Sequence, residues 1–125
     1  MAKAVGKKMK WLPNVAEQNY AAASSYLSIV YSAERVSAIM AKLRRAAIVQ
    51  FKAKDIFRAS QLSLLGVSNL HVEKDRKRIS EGKGLSLLLM VRDKRNSKVI
   101  VADGYHRLCA IYGFNEEALI QCKIV

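Results

Sequence analysis

The residues best suited to chemistry stand together in the segment 99–114, VIVADGYHRLCAIYGF, where an apolar run breaks for Asp103, Gly104, His106 and Arg107 and then resumes. The apolar run before the break predicts a strand, and the periodic run after it predicts a helix. Gly104 lets the chain turn sharply and lets a ligand approach its backbone. The first amide groups of a helix have no partner within it and carry the positive end of its dipole. The segment therefore predicts an anion site where the helix begins.

His106 and Arg107 add side-chain donors in the first turn of this helix, since an arginine can hold a phosphate through two parallel hydrogen bonds. Tyr105, which stands between them and the glycine, is included among the residues predicted to bind phosphate or nucleotide. The positive end of the helix dipole repels a cation at the N-terminus, which costs about 0.3–1 kcal/mol for each cation. A bound phosphate would make the net interaction at this end favourable. In the plainer interpretation Asp103 caps the helix, and His106 and Arg107 are solvated. The electrostatic argument favours the anion site.

Asp55 and Arg58 are possible additional site residues. They are separated by three positions, which is the spacing of a local ion pair on a helix. In the alternative interpretation Arg58 reaches the binding site from a neighbouring loop. The sequence leaves both interpretations open.

Three other features predict structure rather than chemistry. Residues 82–84, Gly-Lys-Gly, lack the spacing of a phosphate-binding P-loop and predict the end of a helix and a turn. The charged run 73–78, EKDRKR, predicts a solvated helix face, because carboxylates offset its Lys and Arg residues. Cys109 and Cys122 have no metal-ligand spacing with the two histidines, and we expect both to be buried free thiols.

The elements that must position these residues follow from the apolar periodicity. Residues 14–47 predict a helical hairpin that Asn14 opens as an N-cap, with Glu17 in a capping box, and whose second helix Ser32 caps. The second helix carries an apolar stripe at helical spacing: Val36, Ile39, Met40, Leu43 and Ala47. From residue 48 onward the predicted order is β-α-α-β-β-α-β. We expect an α+β fold.

Length and charge limit the possible functions. The 125 residues suffice for one domain with a core, which we divide into a basic tail (1–12), the helical hairpin extension (13–47) and the main domain (48–125). A formal net charge of +12 favours a nucleic-acid partner, bound without sequence preference and in a salt-sensitive way, over a merely soluble basic surface. The chain has no apolar run near the roughly 20 residues that span a membrane, and no secretory signal. We expect a cytoplasmic protein without a membrane partner.

The stretch DGYHRLCA after an apolar strand resembles the signature of the ParB/sulfiredoxin superfamily, and the resemblance covers residues 48–125. Sulfiredoxins carry Gly-Cys-His-Arg at this place, ParB partition proteins carry Gly-Glu-Arg-Arg, and a free-serine kinase branch carries a similar Asp-Gly-x-His-Arg. The resemblance implies a mixed sheet with flanking helices. It also implies that Gly104, His106 and Arg107 cradle the phosphates of ATP, ADP or CTP, and that Asp103 orients Mg²⁺ or acts as a base.

Two departures from the family narrow what the resemblance implies. Tyr105 occupies the position of the reactive cysteine of sulfiredoxins, and we expect no DNA-binding helix-turn-helix domain after the motif. The leading hypothesis is a small nucleotide-binding enzyme, an NTP hydrolase, phosphoryl transferase or nuclease, with Asp103 as its catalytic residue. The second is a non-catalytic module that binds nucleotide or, in a partition-like way, DNA. The third is an interaction protein whose hairpin, residues 14–47, docks a partner or forms a homodimer, which an exposed hairpin stripe would favour.

Overall fold

The computed structural model describes residues 9–66 and 69–125. Residues 1–8, which belong to the predicted basic tail, and residues 67 and 68 lie outside the described residues. The described helices are α1 (Glu17–Val30), α2 (Ala33–Arg45), α3 (Ala53–Ser60), α4 (Leu70–Ser80) and α5 (Tyr105–Phe114). The described strands are β1 (Val49–Lys52), β2 (Leu88–Asp93), β3 (Lys98–Asp103) and β4 (Leu119–Ile124). The predicted element order from residue 48 onward is confirmed.

The four described strands form one mixed sheet in the order β1-β4-β2-β3. β1 pairs with β4 and β2 with β3 in antiparallel fashion, whereas β2 and β4 are parallel. The continuous apolar run Leu88–Val91 forms the interior of β2, and its residues are at most 5 % exposed because both faces of this central strand are covered. The α+β fold class is confirmed. None of the described helices is both long and apolar enough to cross a membrane.

The helices form two layers, one on each face of the sheet. On one face α3, α4 and α5 share a core with Leu88, Met90 and Val101. On the other face the α1–α2 hairpin shares a core with Leu89 and Ile100. The molecule therefore has three layers, and the hairpin is built onto the sheet of residues 48–125.

The apolar stripe of α2 is the part of the hairpin that covers the sheet. Val36, Ile39 and Leu43 are buried in the cluster that also contains β2 and β3 side chains. An exposed stripe was the observation that would favour a partner or a second copy docking through residues 14–47. The buried residues of the stripe do not meet that condition.

The start of the hairpin differs from the prediction. α1 begins at Glu17 behind Ala16, which provides no side-chain cap, so the predicted capping box opened by Asn14 is wrong. The carboxylate of Glu17 instead accepts two hydrogen bonds from Arg44 of α2, at 2.7 and 2.9 Å. The competing ion pair across the two helices explains why the local capping pattern does not form. Ser32 caps α2 as predicted, accepting from the Arg35 amide at 3.3 Å.

The segment before the hairpin is attached to the main domain. The Leu12 amide donates to the Leu85 carbonyl at 2.8 Å, and the Leu85 amide donates to the Lys10 carbonyl at 2.9 Å. Trp11 forms a parallel bridge with Leu85, so the last residues of the predicted tail pair with their own chain.

Gly82 follows α4 with φ of 72°, which confirms the predicted helix end at residues 82–84.

Candidate functional site

The predicted strand–glycine–helix junction is present. β3 ends at Asp103, Gly104 has φ of 112°, and α5 begins at Tyr105. A Cβ atom at position 104 would lie 2.7 Å from Leu88 Cγ and 2.9 Å from Arg107 Nη2. Position 104 therefore requires a glycine for two reasons: the backbone has a positive φ, and the packed side chains leave no room for a Cβ atom. The groups that approach its backbone most closely are side chains of the protein itself.

A β-bulge decides which way Asp103 faces. Leu89 pairs with Asp103 and Met90 pairs with Val101, so Ala102 is an extra residue on β3. Residues paired across antiparallel strands share a face, and Leu89 packs on the hairpin side of the sheet. The bulge thus turns Asp103 toward α1. Without it, the alternation of side chains along β3 would place Asp103 on the opposite face of the sheet, which α3, α4 and α5 cover.

Asp103 and Arg107 form a half-buried ion pair. Asp103 Oδ2 accepts from Arg107 Nη2 at 3.0 Å and from Asn19 Nδ2 of α1 at 3.1 Å. The side chains of Arg107 and Asp103 are only 16 % and 14 % exposed. Arg107 also donates from Nε to the Ser86 carbonyl at 3.0 Å and from Nη2 to the Leu87 carbonyl at 3.2 Å. The arginine therefore joins the end of β3 to the segment that leads into β2.

The interpretation in which Asp103 caps α5 and Arg107 is solvated is wrong. The N-cap of α5 is Gly104, with no side-chain cap bond, so Asp103 does not cap the helix. Arg107 is not simply solvated, because its guanidinium has three oxygen acceptors within the protein. Both charged residues have a structural role that the sequence pattern does not reveal.

Asp103 fits a magnesium ion poorly in this arrangement. Its Oδ2 atom already accepts two hydrogen bonds, one of them from the cation that balances its charge. Across residues 9–66 and 69–125, no group of three or more His, Cys, Asp or Glu side chains is arranged to hold a metal ion. The neutralised carboxylate is better suited to holding the junction together than to binding Mg²⁺.

A cavity of about 370 Å³ opens at this junction. Asp103, Gly104, Tyr105 and His106 contribute to its wall, so the motif residues other than Arg107 come together there. Tyr26 of α1 closes one side. The N-terminus of α5 brings its unpaired amides and the positive end of its dipole to this wall. Because Arg107 balances Asp103, the carboxylate does not make the cavity repel an anion.

The two histidines of the chain lie together beside the cavity. The rings of His71 on α4 and His106 on α5 have centroids 4.8 Å apart. Burial lowers the pKa of His106, and the charges of His71 and Arg107 act in the same direction against the opposing effect of Asp75. The imidazole of His106 is therefore uncharged at neutral pH.

Asp75 completes this group. Burial raises the pKa of the half-buried Asp75 carboxyl, although the positive charge of Arg107 opposes that shift. Sequence reasoning missed His71 and Asp75, because the charged run of α4 indicates a solvated face. Their separation of four residues, which places both on one side of a helix, is the signal that was available.

Asp55 and Arg58 are not brought to this cavity. They form the local ion pair on α3, at 3.8 Å, with side chains that are 52 % and 84 % exposed, and the cavity wall includes neither residue.

Cys109 and Cys122 are buried free thiols, as predicted. Burial raises the pKa of both thiols, that of Cys122 to about 11, so neither is a reactive thiolate at neutral pH.

The hydroxyl of Tyr105 donates to the Ser63 carbonyl, which fixes the loop after α3 against the start of α5. What faces the cavity from the first turn of α5 is thus an anchored tyrosine, an uncharged histidine and backbone amides. The backbone amides and an imidazole N–H can donate hydrogen bonds to the oxygen atoms of a phosphate group. The chain matches no protein-family model, and comparison with curated proteins and with solved structures gives no match either.

Proposed function

We propose that the protein binds a nucleotide through its phosphate groups in the cavity at the β3–α5 junction. The observation that carries this proposal is the cavity of about 370 Å³ at the N-terminus of α5, in which Arg107 neutralises the one carboxylate among the described wall residues. This volume lies within the range of small-molecule sites, about 300–1,000 Å³. The order of strands and helices from β1 to β4, together with the position of the DGYHR motif, supports a ParB/sulfiredoxin-like fold.

In this proposal the motif residues divide into ligands and a positioning residue. The amides of the first turn of α5 and the His106 side chain contact the phosphates. Arg107 does not contact them; it neutralises Asp103 and keeps Gly104 and the strand end in place. The ion pair removes the repulsion between carboxylate and phosphate, so the site does not require Mg²⁺ for that purpose.

A second candidate function is hydrolysis of the bound nucleotide or of a phosphodiester. The pair of His106 and His71, with Asp75 nearby, favours it. An imidazole that is uncharged at neutral pH can take a proton from an attacking water molecule. His106 is the candidate base, because it lines the cavity, whereas the carboxylate of Asp103 is occupied.

Isothermal calorimetry with ATP, ADP, CTP, GTP and inorganic phosphate tests the binding proposal on the full chain. We expect His106→Ala to weaken nucleotide binding about 10- to 100-fold, since it removes a hydrogen bond to a charged group. Arg58→Ala is the matched control, because it removes an exposed side chain that does not line the cavity and should leave affinity within about twofold. Equal affinity of the wild type and His106→Ala, or failure of the wild type to bind any nucleotide, would contradict the proposal.

Phosphate release from the same nucleotides separates the two candidate functions. If the histidines act as a catalytic pair, His71→Ala should lower turnover at least tenfold while binding persists, because His71 lies behind His106 and not on the cavity wall. If the wild type binds nucleotide without turnover, the protein is a binding module.

A further inference from the structure

A second charged region lies between α2 and the turn that joins β2 to β3. A groove of about 320 Å³ is formed there, with Ile39 and Val91 among its buried floor residues. Five exposed basic side chains surround it: Arg35, Lys42, Arg92, Lys94 and Arg95. The groove shares no wall residue with the cavity at the β3–α5 junction.

The positive charges of this groove outnumber the carboxylate side chains of its described wall by five to one. In the part of the chain that the structure describes, no salt bridge involves any of the five basic residues. Asp93 is the acidic side chain in the wall, and both its oxygens accept hydrogen bonds from Asn96, at 2.8 and 3.3 Å. These bonds lower the pKa of Asp93, which thus serves as an anchor of the turn.

The scaffold under these charges is well defined. Arg35 lies over the ring of Tyr31, with its guanidinium carbon 4.7 Å from the ring centroid. The amide of Arg92 donates to the Val125 carbonyl at 2.7 Å, and the amide of Ser97 donates to the Lys94 carbonyl at 3.3 Å. The basic residues are therefore carried by a packed helix, a paired strand and a hydrogen-bonded turn. Little ordering is needed when an anion binds.

We propose that this groove binds the phosphate backbone of a nucleic acid. Five cations with one carboxylate side chain among them repel one another, and a chain of phosphates relieves that repulsion while releasing counterions. A single nucleotide would neutralise only part of the set. Ile39 and Val91 in the groove wall are buried and offer a membrane no apolar anchor, so charge attraction to acidic headgroups alone would hold the protein there. The contacts are to backbone phosphates, so binding is without sequence preference.

Fluorescence anisotropy with a labelled 20-base-pair duplex of mixed sequence, titrated with the full chain between 50 and 200 mM KCl, tests this proposal. The variant carries Arg92→Gln, Lys94→Gln and Arg95→Gln. The matched control carries Lys52→Gln, Lys54→Gln and Arg58→Gln, which removes the same charge from residues that pair with Glu117 and Asp55.

The expected difference is a change of slope. The logarithm of the affinity falls linearly with the logarithm of the salt concentration, and each phosphate contact contributes about 0.9 to the steepness of that line. The groove variant lacks three cations, so its line should be less steep by about three. Its decline in affinity between 50 and 200 mM salt should then be about 40-fold smaller than that of the wild type. The control should keep the wild-type slope within about one.

Three results would overturn the proposal. The groove variant could bind the duplex as the wild type does, or both variants could lose affinity equally, which would indicate net charge alone. Vesicles of phosphatidylserine could bind the wild type more tightly than the duplex at the same salt, with binding lost only in the groove variant. Calorimetry with nucleotide on the groove variant keeps the two proposals separate, because the groove and the cavity share no wall residue and affinity there should be unchanged.

Discussion

Arginine has opposite surroundings in the two charged regions of this protein. At the β3–α5 junction Arg107 is 16 % exposed and donates to Asp103 and to two backbone carbonyls. In the groove beside α2, Arg35 and Arg92 are exposed and belong to a set that forms no salt bridge among the described residues. Arg107 belongs to the most distinctive motif of the sequence, whereas Arg35 and Arg92 belong to stretches that look like ordinary basic surface.

The difference shows that the partners of a charge, rather than its motif, determine its role. A guanidinium whose Nε and Nη2 atoms are committed to three acceptors within the protein serves the fold, and its removal leaves a largely buried carboxylate without its cation. Exposed cations without partners contribute little to stability and attract polyanions. The two regions should therefore respond oppositely to substitution: stability should change at the junction, and binding should change at the groove.

The largest expected effect is at the junction. Arg107→Ala should destabilise the protein by about 3 kcal/mol, because it leaves Asp103 half-buried without its cation and two carbonyls without their donor. Urea denaturation followed by circular dichroism measures the change in the free energy of unfolding. Arg58→Ala, in the exposed pair on α3, is the control and should change that free energy by less than about 0.5 kcal/mol. An Arg107→Ala protein of wild-type stability that no longer binds nucleotide would restore Arg107 as a phosphate ligand.

The second effect concerns the other partner of Asp103. Asn19→Asp replaces the amide that donates to Asp103 with a second carboxyl group, and should cost about 2 kcal/mol at pH 7. The pKa of the new carboxyl should be raised by its neighbour, so it contributes stability at low pH that is lost as the pH rises through that pKa. The deficit relative to the wild type should therefore shrink as the pH falls toward 4. A deficit independent of pH would show that the two carboxylates do not interact.

A smaller effect is expected at the groove. The variant with Arg92, Lys94 and Arg95 changed to Gln should keep its free energy of unfolding within about 0.5 kcal/mol of the wild type, with any change toward higher stability at low salt. Raising the salt concentration should stabilise the wild type more than this variant, because salt screens the repulsion that the variant lacks. Denaturation at 50 and 500 mM NaCl measures both. Marked destabilisation of the variant would show that the groove cations support the fold.

The smallest effect is a pH dependence due to His106. Its pKa is lowered in the folded protein by burial and by His71 and Arg107, against the opposing charge of Asp75. The unfolded chain therefore binds a proton before the folded one does, and stability falls as the pH drops below about 6.5. His106→Asn should remove this part of the decline, so the wild-type and variant curves of stability against pH should converge or cross below that value. Parallel curves from pH 8 to pH 5 would contradict the assignment.

Local patterns predicted most of the elements that hold the site. The apolar run ending at Asp103, the glycine after it and the periodic run after that were sufficient for β3, the turn and α5. The same holds for the stripe of α2 and the cap at Ser32, which depend on residues within one helix. The cap predicted at Asn14 failed because Glu17 has a competing partner 27 residues away, Arg44, which no local pattern contains.

The sequence predicted where the motif residues lie better than it predicted what their side chains contact. Gly104, Tyr105 and His106 do line a cavity at the start of α5. The assignment of Arg107 to a ligand did not anticipate that its guanidinium would reach the carbonyls of Ser86 and Leu87, about twenty residues earlier. His71 was missed because its proximity to His106 depends on how α4 packs against α5.

The sequence by itself determined the α+β class, the order of elements from β1 to β4, the strand–glycine–helix junction and the excess of positive charge, because each depends on residue types at short spacing or on a sum over the chain. Only the tertiary structure decided which charges are paired. A bulge at Ala102 turns Asp103 toward Asn19 and Arg107, while the packing of α2 beside the β2–β3 turn brings together cations that form no salt bridge among the described residues. Pairing depends on distances of a few ångströms between segments far apart in the chain, and Coulomb attraction at such distances distinguishes a structural ion pair from exposed cations that form no salt bridge.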